Sequence, residues 1–178
     1  MGSAKLTLGV LVMAVMLSLG FGLPKNIEKK VHKEVEKLFE VSDFSMVPVN
    51  VPEDLKASLQ TQINPDNFFE LTNAGAELGY VFVDQAPSKT AKFDYMVVFD
   101  KDLKIVHSKV LVYREEYGGE IGSKRWLKQF LGKTGEDRVD YQTNIDGISG
   151  ATISVRSMTT SIDKLLQTIG VLQDNKVL

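Results

Sequence analysis

Between Phe68 and Tyr113 the chain alternates four strand-like runs with short turn signals, and this pattern confines it to a largely antiparallel sheet. Phe68–Thr72, Glu77–Asp84, Phe93–Phe99 and Ile105–Tyr113 are rich in β-branched and aromatic residues. Asn73-Ala74-Gly75-Ala76 and Asp100-Lys101-Asp102 supply turn chemistry between them, so successive strands form hairpins. Gln85–Lys89 reads as a connecting loop. After the strands, Ser123–Leu131 reads as a short helix carrying Trp126. Val155–Ile169 reads as a longer one, with Val155, Met158, Ile162, Leu165, Leu166 and Ile169 on one face. Before them, Asn26–Val41 is amphipathic, Met46–Val51 is extended, and Pro52 opens a short helix. The expected class is α+β: a mainly antiparallel sheet with packed helices, preceded by an N-terminal hydrophobic helix.

That N-terminal segment separates three regions. Lys5 precedes an apolar run from Leu6 to Leu23. About eighteen helical residues span about 27 Å, close to the apolar thickness of a bilayer. Two readings fit residues 1–24: an uncleaved signal anchor, or a signal peptide cut near the small residues Ser18, Gly20 and Gly22. Both place the remainder outside the cytoplasm, either membrane-anchored or released to the periplasm. Residues 25–66 form a helical N-terminal part, as a stalk or as a cover for the sheet. Residues 67–178 form the main domain.

The chemistry concentrates in Asp146-Gly147-Ile148-Ser149-Gly150-Ala151-Thr152-Ile153-Ser154. This stretch is small, glycine-containing and rich in hydroxyls, and it runs into the start of a helix. The first turn of a helix has backbone N–H groups without internal partners and a dipole that favours an anion, so a phosphate suits this position. The spacing alone favours a plain helix cap made by a Ser or Thr hydroxyl. Elsewhere the chain offers little to a metal or an acid–base centre. It has no cysteine and only two histidines, His32 and His107. Disulfides, thiolate zinc sites and cysteine-held iron–sulfur clusters are therefore excluded. His32 reads as solvated on a charged helix face, and His107 as a strand residue without a visible partner. Glu115 and Glu116 are neighbours that a strand would point to opposite faces. The formal charge of -2 gives no basic footprint for nucleic acid. No G-x-G-x-x-G follows a strand, so a nicotinamide fingerprint is missing.

Asp146, Ser149, Gly150, Ala151, Thr152 and Ser154 resemble the flavinylation motif of the FMN-binding domain family. That family includes the flavin subunits of Na+-pumping NADH:quinone reductase and Rnf-type complexes. Tyr113–Lys133 resembles a second family segment, with an acidic residue, a glycine-rich turn and an aromatic residue before Gln-Phe. Gly118-Gly119-Glu120-Ile121-Gly122 stands where the family has Pro-Gly-Leu-Gly. The resemblance implies FMN esterified through its phosphate to Thr152. It implies that an external FAD:protein FMN transferase using Mg2+ attaches it, with Asp146 orienting the acceptor loop or meeting that enzyme; by its residue type Asp146 fits a plain Asx-turn as well. Ser149, Gly150, Ala151 and Ser154 complete the cofactor-binding set. Gly119 and Tyr117 join it from the second segment, with Tyr117 and Trp126 as candidate surfaces for the flavin ring. No catalytic or metal-binding residue is expected. The expected role is extracytoplasmic electron transfer between membrane or extracytoplasmic redox partners. The alternatives are a flavin-dependent reductase, or a cofactor-free binding module in which Thr152 is only a cap.

Overall fold

Phe93 to Phe99 is buried at every position, which requires cover on both faces of the sheet that holds it. The computed structural model, which describes residues 22–178, supplies that cover with a helix from each end of the chain. The strands are β1 (Ser45–Pro48), β2 (Phe68–Asn73), β3 (Ala76–Pro87), β4 (Lys92–Asp100) and β5 (Ile105–Val112). They pair in the order β1-β2-β3-β4-β5, each antiparallel to its chain neighbour. The α+β class with an antiparallel sheet is thus as the sequence indicates. The apolar N-terminal run lies outside the described residues apart from its last two. Among the described residues no helix is long and apolar enough to cross a membrane.

Alternation along the strands sorts side chains to two cores. Phe68, Tyr80, Phe82, Phe93, Tyr95, Val97 and Phe99 share one with Val155, Met158, Ile162, Leu165, Leu166 and Ile169 of α4 (Thr152–Asp174). Phe69, Leu71, Val81, Val83, Met96 and Val98 share the other with Ile27, Val31 and Val35 of α1 (Lys25–Phe39). α1 is therefore a layer of the fold rather than a stalk. Residues before position 67 also contribute Val51 and Ile63 to the α4-side core.

Two departures from the sequence reading have local causes. β3 continues to Pro87, where a loop from Gln85 was expected, because Ala86 still points into the core and Gln85 Nε2 donates to Asp94 Oδ1 at 2.7 Å across the strands. The segment Ser123–Leu131 divides into α3 (Lys124–Leu127) and a 3-10 turn over Lys128–Phe130. α3 starts where Ser123 Oγ accepts from the Trp126 N–H, and α2 (Glu53–Lys56) follows Pro52. Gly79 has φ +144°, and a Cβ there would lie 2.1 Å from the Phe99 carbonyl oxygen. Glycine is what lets β3 lie against β4 at that point.

Candidate functional site

The motif loop is fastened to the core before it turns into α4. Buried Trp126 donates through Nε1 to the Asp146 carbonyl at 2.7 Å, and the Asp146 N–H donates to Gln129 Oε1 at 2.8 Å. A tight turn follows, closed by the Ala151 N–H on the Ile148 carbonyl at 3.1 Å. Gly150, third in that turn, has φ +83°, the left-handed geometry a type II turn needs there. α4 then begins at Thr152, and its first main-chain bond runs from the Val155 N–H to the Ala151 carbonyl. Ala151 precedes the helix and offers no capping side chain. The N–H groups of Thr152, Ile153 and Ser154 find no acceptor among the described residues, leaving a positive helix end open to an anion.

The hydroxyls of the motif divide by role. Ser154 is buried, and its Oγ bonds Tyr113 Oη at 3.0 Å, which ties α4 to the end of β5. Ser149 and Thr152 are exposed and their hydroxyls have no partner among the described residues. Thr152 is the first helical residue and caps nothing, contrary to the cap alternative.

Facing Thr152 is a wall made by the chain after β5 and the turn from β3 to β4. Together they enclose a cleft of about 590 Å3, within the range of small-molecule sites. Gly118 interlocks the two sides. It has φ +83°, and a Cβ there would come within 2.9 Å of Tyr113 Oη, 3.1 Å of Ala151 Cβ and 3.2 Å of the Gly150 carbonyl. Glu115 fixes the β3–β4 turn. Its carboxylate accepts from Ser88 Oγ at 2.6 Å, from the Thr90 N–H at 2.6 Å and Oγ1 at 2.8 Å, and from the Ala91 N–H at 3.2 Å. These bonds, that from Ser88 foremost, hold its pKa down at about 2. Arg114 spans the same turn, donating to the Lys92 carbonyl and pairing with Asp94.

The structure sorts the residues singled out above. Gly150, Ala151, Thr152, Ser154 and Tyr117 line the cleft. Tyr117 is 81% exposed and Ile153 50%, so both offer free apolar surface there. Gly119 opens a 3-10 turn and is not among the lining residues; its neighbour Gly118 makes the close approach. Trp126 packs edge-on against Phe130 at 5.2 Å and anchors the motif loop, so it is not a ring surface. The Asp146 carboxylate is exposed and makes no Asx-turn bond.

Glu115 and Glu116 lie beyond the end of β5, so strand alternation does not govern them. One is locked to the turn and the other stands free at the cleft. His32 is partly covered and tilts against Phe44 at 4.7 Å rather than standing in solvent. His107 Nε2 lies 3.3 Å from Glu34 Oε2 but makes no hydrogen bond among the described residues, and burial pushes its pKa below the ordinary value, against the charged form an ion pair would need. Lys89, Thr90 and Tyr113 were not legible as site residues, because only the sheet pairing brings them to the motif. A second groove of about 610 Å3 lies between α1 and β5, contains Lys124, and holds no motif residue.

An FMN-sized group suits this cleft by its donor set. An open helix start and a free hydroxyl meet a phosphate, and Tyr117 and Ile153 offer apolar surface to a planar ring. Residues 89–167 match a family model described as the FMN-binding domain. No curated protein matches the chain.

Proposed function

We propose, on the match of residues 89–167 to the FMN-binding domain family model, that this chain is an extracytoplasmic electron-transfer protein holding FMN covalently through Thr152. Bound FMN supplies the capacity to take up and release electrons. The chain supplies retention, orientation and electrostatic setting.

The observation that carries the covalent reading is the state of Thr152. Its hydroxyl is exposed, unbonded and placed beside three open N–H groups at the head of a 23-residue helix. A hydroxyl used as a cap would be turned inward on the backbone. This one is available to an incoming enzyme. Attachment from FAD forms the Thr152 Oγ–phosphorus bond and breaks the pyrophosphate bond. AMP leaves, and the hydroxyl proton passes to a base. Among the described residues no carboxylate or imidazole bonds Thr152, which supports a base and Mg2+ supplied by an FAD:protein FMN transferase. The exposed, unbonded Asp146 carboxylate six residues upstream is a contact for that enzyme.

The phosphodiester keeps one negative charge, and the N–H groups of Ile153 and Ser154 stabilise it. Gly150 and Ala151 keep the approach to the helix end uncluttered, and the Ser154–Tyr113 bond fixes the distance between the two walls. The apolar run over residues 6–23 anchors the domain on the extracytoplasmic side or directs its release there. A covalent tether then keeps a cofactor that the export compartment cannot replenish. Redox partners meet it at the membrane or beside it.

The test is co-expression with an FAD:protein FMN transferase, followed by a denaturing gel viewed under ultraviolet light and an intact mass. The mass rises by FMN less water. Thr152→Ala loses the adduct, and stability moves by less than about 0.5 kcal/mol because the hydroxyl makes no bond. A parent chain that stays colourless at the polypeptide mass rejects the covalent reading in favour of a cofactor-free module.

A further inference from the structure

One cation at the cleft has no partner. Lys89 lines it together with Thr152, and no carboxylate lies within ion-pair distance of Lys89 among the described residues. The cleft's other cation, Arg114, is already paired with Asp94. Lys89 is also held in place by its neighbours. Ser88 and Thr90, on either side of it, both donate to the Glu115 carboxylate, and so does the Ala91 N–H. A long flexible side chain is thereby mounted on a turn that Glu115 holds by four hydrogen bonds. One free anion, Glu116, also lines the cleft.

We propose that Lys89 is the residue that biases the flavin's reduction potential, and that Glu115 is the positioning residue that keeps it directed at the cleft. The inference rests on the FMN reading above. Uptake of two electrons from a donor and one proton from solvent leaves the flavin ring with one more negative charge than before. An ammonium in the same cleft favours that form and raises the potential, and a carboxylate opposes it. Lys89 and Glu116 act with opposite sign, while Arg114 and Glu115 are neutralised or saturated by the protein.

The experiment uses the full chain, flavinylated by the transferase and verified by mass, in equilibrium reductive titrations against a reference dye. Lys89→Gln shifts the ratio of reduced to oxidised flavin up to tenfold toward oxidised, which is about 30 mV lower for a two-electron couple. Glu116→Gln shifts it the other way, and both shifts shrink at high salt. Glu115→Asp keeps the charge but is one methylene too short to reach every donor. It lowers the potential when Lys89 is present and leaves the Lys89→Gln chain unchanged. A Lys89→Gln protein with the parent potential overturns the tuning role. An equal Glu115→Asp shift in both backgrounds overturns the positioning role. A parent chain without the adduct is seen by mass before any titration, and then it is the FMN reading that fails.

Discussion

Gly118→Ala is the substitution that most directly probes how the two walls of the cleft are locked together. The residue has φ +83°, a conformation that costs a residue with a Cβ about 1–2 kcal/mol. The new methyl would also sit 2.9 Å from Tyr113 Oη and 3.1 Å from Ala151 Cβ. The tyrosine can yield only by stretching its 3.0 Å bond to Ser154, which is worth a net ~0.5–1.5 kcal/mol. The sum is roughly 1.5–3.5 kcal/mol. At about 2–4 °C per kcal/mol for a domain of this size, Tm falls by about 3–14 °C. Displacing Ala151 also moves the start of α4, so the proposed flavin incorporation slows. The control is Gly119→Ala. No atom lies within 4 Å of a Cβ there and no positive φ opposes it, so it is neutral or stabilises by up to about 1 kcal/mol. The assay is thermal unfolding by circular dichroism on the two variants and the parent. Equal melting of all three would refute the interlock.

Three further outcomes follow from named contacts. Trp126→Phe keeps most of the packing but strands the Asp146 carbonyl, costing about 1–3 kcal/mol and slowing adduct formation, as read by urea unfolding and timed mass spectra. Val31→Asp puts an unpaired carboxylate into the fully buried seam between α1 and the sheet and destabilises by roughly 3 kcal/mol or more; denaturation at the parent midpoint would restore the stalk reading of α1. The folded-state pKa of Glu115 is depressed, so its latch is complete above the ordinary value of 4.5 and is lost as pH falls toward about 2. Its carboxyl carbon followed by NMR has a midpoint near 2, and one near 4.5 would show that the turn is not held.

The strands were legible because runs rich in β-branched and aromatic residues lie between turn signals, and the antiparallel pairing of chain neighbours followed from those turns. α4 was legible only in its middle. It extends to Asp174 through Gly170, where the backbone packs on Gly135 so closely that a Cβ on Gly135 would meet Gly170 at 2.7 Å. A glycine inside a helix signals a break locally, and only the tertiary contact explains it. In the site, the motif loop announced itself because its residues are contiguous. The opposing wall did not. Glu115 reaches a turn 24 to 27 residues away, and Tyr113 reaches a helix 41 residues on, and nothing local in either segment encodes those meetings. Trp126 was ambiguous for the same reason: its aromatic face suits a ring or a core, and its Nε1 partner decides.

The placement of the two covering helices at opposite ends of the chain sets an order of events during biogenesis. Each hairpin of the meander can form as soon as its own residues emerge, but β4 keeps bare apolar surface on both sides until α1 has docked on one and α4 on the other. A chain stalled before residue 152 therefore presents a half-clad sheet, prone to stick to other chains. α4, which emerges after the whole sheet, is also the segment whose first residue bears the proposed cofactor attachment, so closing of the core and readiness for modification come together.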